Sequence, residues 1–265
     1  MRRLRVGRIS LLNMYPIYHG LERTGEPMLS FTDGVPTTLN DALLRGELDV
    51  SAVSSIAYAR HASELSLLPV ASITADGAVD SIQVFSRVPF EEVRSVAVTP
   101  HSATSVALLR ILLGPGAPFD RLSEPAGAAL ERVDGVLLIG DEALAGVRDG
   151  VGAHRTDLGA LWRQRTGRPM VFAVWAARAD AARERGDALA ELSAILSDAR
   201  AAYLADPEAV VAAAAARFPF PAEFIRSYFR RLRYEFGPPE RIGLETFLRL
   251  ARESGELDAV PRLAA

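Results

Sequence analysis

The stretch "VFAVWA", Val171–Ala176, decides how the rest of the chain is read. It is a short apolar run rich in β-branched and aromatic residues, the pattern of a buried strand. Beyond it, from Asp180 on, the sequence changes to Ala-rich helical patterns over Ala181–Tyr203, Pro207–Arg217, Pro221–Leu232 and Gly243–Glu253. Before it, strands alternate with helices in two blocks separated near Ser86–Glu92. A strand at Val171 that returns to the first block creates two crossings between the blocks. The expected fold is therefore α/β and two-lobed, with a hinge and an interlobe cleft. Residues 1–87 and 175–265 form one lobe and 88–174 the other.

Within the first block, strands are expected at Leu4–Leu11, Met28–Thr32, Leu48–Val53, Leu67–Ala75 and Val79–Ser86, the last two separated by the turn pair Asp76-Gly77. Pro36 opens a helix and Gly46 follows its end, the usual asymmetry of helix termini. The second block has strands at Ser95–Val98, Phe119–Ser123 and Gly135–Ile139, with helices from Ser102 and Asp141. Alternation of this kind implies parallel sheets.

Composition removes whole classes of chemistry. Every basic residue is Arg, so no lysine Schiff base is available. With 0 Cys there is no thiolate nucleophile, disulfide or zinc–thiolate site. The 4 His are scattered and none sits in a compact metal-binding spacing, so neither metal nor cofactor is expected. A net charge of −3 and 7% aromatic residues give no footprint for nucleic acid. No apolar stretch suits a signal peptide or a membrane span, so a cytoplasmic protein is expected. The sequence carries no signal for oligomeric state.

Ligands of open parallel sheets bind beyond the carboxyl ends of the strands. Four such ends carry small polar residues: Asn13, Ser54-Ser55, the run Ser102-Ala103-Thr104-Ser105, and Gly140-Asp141. Helix N-termini with hydroxyls beside them attract carboxylate or phosphate. The same residues also suit plain capping, and Asn13 also suits a turn before Pro16. Spacing alone thus reaches a two-lobed protein that binds a small anion.

The residues carry more than their spacing. "RVGRISLLNMYPIYHGL" (5–21), "LNDALLRGELDVSAVSSIAYAR" (39–60), "LLPVASITADGAVDSIQVFS" (67–86), "VTPHSATSVALLRILL" (98–113) and "LLIGDEAL" (137–144) follow one another in the order of the chorismate dehydratases of menaquinone biosynthesis by the futalosine route. "DLGALWRQRTGRPMVFAVWAAR" (157–178) continues the resemblance. It implies a fold like type II periplasmic binding proteins, chorismate as the small-molecule substrate, and its dehydration to 3-enolpyruvylbenzoate. A substrate carboxylate, rather than a side chain, then takes the proton. Carried over by motif, Asn13 and Ser81 are the catalytic pair. Ser54 and Ser55 lie in the first lobe's anion site; Ser102, Thr104 and Ser105 lie in the second's, and Asp141 holds a hydroxyl. Two other readings remain at this point. The sibling 1,4-dihydroxy-6-naphthoate synthase has an N-terminal motif of the "SPCPNDT" kind, which "LLNMYP" does not match. The other is a cytoplasmic solute-binding protein, although that fold usually serves transport, which calls for a leader or a lipid-anchoring Cys.

Overall fold

The structure, a computed structural model, describes residues 3–23 and 27–263. The first strands and helices are β1 (Leu4–Ile9), α1 (Tyr15–Arg23), β2 (Leu29–Gly34), α2 (Pro36–Leu44), β3 (Val50–Ser54), α3 (Ser55–Arg60) and β4 (Leu65–Ala75). There follow β5 (Ile82–Ser86), β6 (Val96–Val98), α4 (Ala103–Leu113), β7 (Phe119–Arg121), α5 (Ala126–Ala129), β8 (Gly135–Ile139), α6 (Gly140–Asp149), β9 (His154–Asp157) and α7 (Leu158–Thr166). The chain closes with β10 (Met170–Arg178), α8 (Ala179–Glu184), α9 (Gly186–Ala205), α10 (Pro207–Ala215), α11 (Ala222–Phe229), β11 (Leu232–Arg233) and α12 (Pro238–Glu253). Among the described residues, no helix is long and apolar enough to cross a membrane.

Two sheets form, in the orders β11-β4-β10-β3-β1-β2 and β7-β6-β8-β5-β9. The return strand β10 lies wholly in the first sheet, between β3 and β4. Its first residue, Met170, pairs with the last residue of β4, Ala75. The segments 76–81 and 167–169 therefore leave the first sheet side by side, and they are the two crossings. Strand membership moves the expected boundaries. Ile82–Ser86 pairs with β8 and β9 in the second sheet, so the first crossing ends before residue 82, not at 87. The second falls before Met170, not at 174/175.

The sheets are mixed rather than parallel. β1 pairs parallel with β2 and β3, and β6 with β7 and β8. The crossing strands β5 and β10 run antiparallel to their neighbours. Strand direction is set by partners far away in sequence, so local alternation does not report it.

The expected strand Val79–Ser86 begins only at Ile82. Ser81 N–H donates to Val79 O at 2.6 Å, and Asp80 between them holds φ +56°. That is a tight three-residue turn of the strained kind. Asp157 pins it by accepting from the N–H of Asp80 at 2.7 Å and from Gln83 Nε2 at 2.6 Å. The helix expected over Ala181–Tyr203 is two helices. The break is at Arg185, whose guanidinium reaches back to Arg3 O and to buried Asp49, each at 3.1 Å. The tail then wraps the first lobe. α9 packs so closely on α1 that a Cβ on Gly20 would lie 2.5 Å from Ala199 Cβ.

Candidate active site

The loop after β1 answers why an amide stands at the tip of a buried strand. β1 stops at Ile9, and Leu12–Met14 make one turn of 3-10 helix before α1. Tyr234 hydroxyl donates to Asn13 O at 2.8 Å and fixes that turn. The Asn13 side chain is thereby left to face an interlobe cavity. Its Oδ1 is buried and has no hydrogen-bond partner.

The first lobe lines the cavity with Asn13, Pro36 and Ser54, and with Ile9, Ile73 and Phe172 as an apolar wall. The second lobe and the crossing contribute Ser81, Ile82, Ser102, Ser105, Ile139 and Gly140. Gly140 opens α6 at φ +58°, and a Cβ there would lie 2.9 Å from Leu11 Cδ1 of the other lobe. Only glycine allows that backbone conformation and that approach together. No charged side chain is among these lining residues.

Five of the residues singled out in sequence, Asn13, Ser54, Ser81, Ser102 and Ser105, meet at this cavity. Three others are engaged in the fold instead. Ser55 hydroxyl donates to Val171 O at 2.7 Å, tying α3 to β10. Thr104 Oγ1 accepts from Ile56 N–H at 3.1 Å, a bond between the lobes. Asp141 Oδ1 accepts from Leu12 N–H at 3.0 Å, a second interlobe bond. Burial raises the Asp141 carboxyl above its ordinary range, and the Leu12 bond only partly opposes this. In this structure the Asp141 carboxylate, the Ser55 hydroxyl and the Thr104 hydroxyl oxygen are thus engaged by Leu12, Val171 and Ile56 rather than lining the cavity.

The serines that remain differ in where their protons go. Ser102 caps α4 by accepting from Ser105 N–H at 3.2 Å, and its own hydroxyl donates to Ser105 Oγ at 2.8 Å. Ser105 then keeps its proton for the cavity. Ser81 is 2% exposed, and its carbonyl accepts from Gly140 N–H at 2.7 Å. Beside Ser81 lies the Tyr228 phenol, which burial pushes far up, so it stays protonated. Sequence reasoning missed Tyr228, because its spacing on α11 reads as ordinary core. It also missed Asn40, which donates from Nδ2 to Ser54 Oγ at 3.2 Å. An amide on the buried stripe Leu39–Asn40–Leu43 was the available signal.

A neighbouring recess holds cations, but they are spent. Arg8 Nη2 bonds Asp33 Oδ2 at 2.8 Å and also pairs with Glu22, which lies 3.5 Å from Arg217. With each guanidinium facing a carboxylate, the recess offers little net attraction to a dianion. Among the described residues, no group of three or more His, Asp or Glu side chains is arranged to hold a metal ion.

Comparison with known proteins places this geometry. The menaquinone-biosynthesis family matches over residues 4–253. A chorismate dehydratase of Thermus thermophilus is 37% identical, over 93% of this chain and 94% of its own. Among solved structures, a protein of Archaeoglobus fulgidus superposes with a TM-score of 0.78 at 17% identity, covering 96% of this chain and 98% of that one. The periplasmic aliphatic sulphonate-binding protein of Escherichia coli superposes with a TM-score of 0.67 at 19% identity, covering 99% and 94%. Those two likenesses give the fold, that of the periplasmic binding proteins, and the sequence match gives the lineage: the chain belongs to the menaquinone-biosynthesis family.

Proposed function

We infer that this chain is a chorismate dehydratase, converting chorismate to 3-enolpyruvylbenzoate and water. Identity to a relative of that activity along nearly the whole chain favours this reading over a sibling synthase or a solute-binding protein. The observation that carries the chemistry is the unpartnered Asn13 amide oxygen in an uncharged interlobe cavity with hydroxyls from both lobes.

The reaction removes the proton at the enolpyruvyl-bearing carbon and the hydroxyl on the adjacent ring carbon. The C–H electron pair becomes the third ring double bond, the C–O bond breaks, and the leaving hydroxide takes up a proton to become water. Aromatisation supplies the driving force, so positioning and electrostatics are what the protein must add. Asn13 accepts a hydrogen bond from the ring hydroxyl and orients it. Ser81, with Tyr228 behind it, donates to the enolpyruvyl side chain. Ser54 and Ser105 each donate to one carboxylate, one from each lobe. The side-chain carboxylate, held against the ring, takes the proton. Neutral donors suit this role, since a guanidinium paired to that carboxylate would weaken it as a base. Entry requires the two interlobe bonds, Leu12–Asp141 and Ile56–Thr104, to open.

The test is turnover of chorismate by purified protein in buffer containing a chelator, followed by product absorbance and mass. Loss of one water per chorismate is expected. Unchanged chorismate overturns the reading. Activity abolished by the chelator overturns only the cofactor-free chemistry.

A further inference from the structure

Asn40 lies behind the cavity wall rather than in it. It is 5% exposed on the inner face of α2, and its Nδ2 donates to Ser54 Oγ at 3.2 Å. Its other polar atom, Oδ1, is buried with no partner. A purely structural side chain at this position would be better served by an apolar one of the same size, because an unpaired buried amide oxygen is unfavourable.

What the amide does is visible on Ser54. That serine stands at the N-cap of α3, yet its side chain makes no capping bond. Among the described residues, the bond from Asn40 is its one side-chain hydrogen bond. A hydroxyl has one proton and two acceptor positions. The Asn40 N–H occupies an acceptor position, and the proton is left for the cavity that Ser54 lines. The second lobe has the same device in different residues, where Ser102 donates to Ser105 and leaves the Ser105 proton free. We propose that Asn40 is a positioning residue which fixes Ser54 as a hydrogen-bond donor to one substrate carboxylate, matching the Ser102–Ser105 pair across the cleft. The proposal rests on the dehydratase reading above.

The experiment is a double-mutant cycle on the full chain, with chorismate kinetics and melting temperature measured for every variant. Asn40→Leu keeps the volume and removes the donor. It is expected to raise KM about tenfold, with kcat changed less than about threefold. In the Ser54→Ala background the same substitution should change KM less than about twofold, because there is no hydroxyl left to orient. Asn40→Asp reverses the bond. The Ser54 proton then turns to the new carboxylate, and KM should rise about a hundredfold. Asn40→Asp is nearly isosteric and carries the test if Asn40→Leu does not fold. Additive effects of Asn40→Leu and Ser54→Ala, or a wild-type KM in Asn40→Asp, overturn the proposal while leaving the function intact. Wild-type protein inert toward chorismate overturns the function and the proposal with it.

Discussion

The first turns of α3 and α4 face each other across the cleft with the same kinds of residue and use them in opposite ways. At α3, the N-cap serine does not cap and lines the cavity, while the next serine, Ser55, is anchored to Val171 O. At α4, the N-cap serine does cap, passes its proton to Ser105, and leaves Thr104 to hold Ile56 of the other lobe. Each turn ends with one hydroxyl whose proton is free for the cavity: Ser54 from the first lobe, Ser105 from the second. The lesson is that hydroxyls at a helix start are not interchangeable. The proposed donors, Ser54 and Ser105, are the hydroxyls that both line the cavity and already have an acceptor side occupied by the fold.

The hardest way to strain this arrangement is to put a charge into the neutral cavity. Asn13→Asp keeps the side-chain size and adds a negative charge beside a dianionic substrate. Like charges at ~4 Å cost about 4 kcal/mol at an effective dielectric of 20. A roughly thousandfold fall in kcat/KM is expected. The melting temperature should stay within ~4 °C of wild type, since Asp also suits a turn. A folded variant with near-normal turnover would make Asn13 a turn former only.

The comparison sharpens when the facing hydroxyls are removed one at a time. Ser54→Ala and Ser105→Ala each lose a hydrogen bond to a charged group, and calorimetry should show product affinity falling about tenfold to a hundredfold. Ser55→Ala should leave product affinity within about threefold but lose about 1–3 kcal/mol of stability in urea unfolding, because Val171 O is left buried and unpaired. Equal effects from Ser54 and Ser55 would erase the distinction.

Thr104→Val removes the acceptor for Ile56 N–H without changing shape. The closed form then loses about 1 kcal/mol relative to the open one, and product binding weakens by less than about tenfold. Small-angle scattering of the unliganded variant should show a larger radius of gyration than wild type. An unchanged radius with a much larger loss of affinity would put Thr104 on a carboxylate after all.

The smallest effect concerns the other interlobe bond. Burial raises the Asp141 carboxyl, so between its unfolded and folded pKa values the native state binds more protons than the unfolded chain. Stability therefore falls as pH rises through that window. Asp141→Asn keeps an acceptor for Leu12 N–H and removes the buried charge. It should melt slightly higher than wild type at pH 7, and the difference should vanish as the pH falls below the ordinary Asp range near ~4. Asp49 provides the opposite case. Burial opposes its ionisation, but bonds from Arg5 outweigh burial and hold its carboxyl low, so its contribution is lost as acid protonates it. A stability advantage of Asp141→Asn that persisted in acid would remove burial of charge as its cause.

Legibility in sequence followed the range of the signal. β8 (Gly135–Ile139) and the start of α4 were readable because an apolar run and a capping serine are local features. β9, whose residues are His154-Arg155-Thr156-Asp157, has no apolar pattern; it is a strand only because β5 pairs with it. The crossing before Ile82 was hidden because residues 79–81 look like strand until Asp157 folds them into a turn. In the site, the serines at helix starts were visible as a group. How the hydroxyls of Ser54, Ser55 and Thr104 are used depends on Asn40, Val171 and Ile56, none adjacent in sequence to the hydroxyl it bonds.

Two neutral donors, one on each lobe, are proposed to share the two carboxylates of one ligand. A crystal structure of the protein with 3-enolpyruvylbenzoate tests it most directly. Expected are a closed cleft, one carboxylate within hydrogen-bond distance of Ser54 Oγ, the other at Ser105 Oγ, and the ring beside the Asn13 amide. Both carboxylates on a single lobe, or the ligand seated in the recess of Arg8 and Arg217, would contradict it.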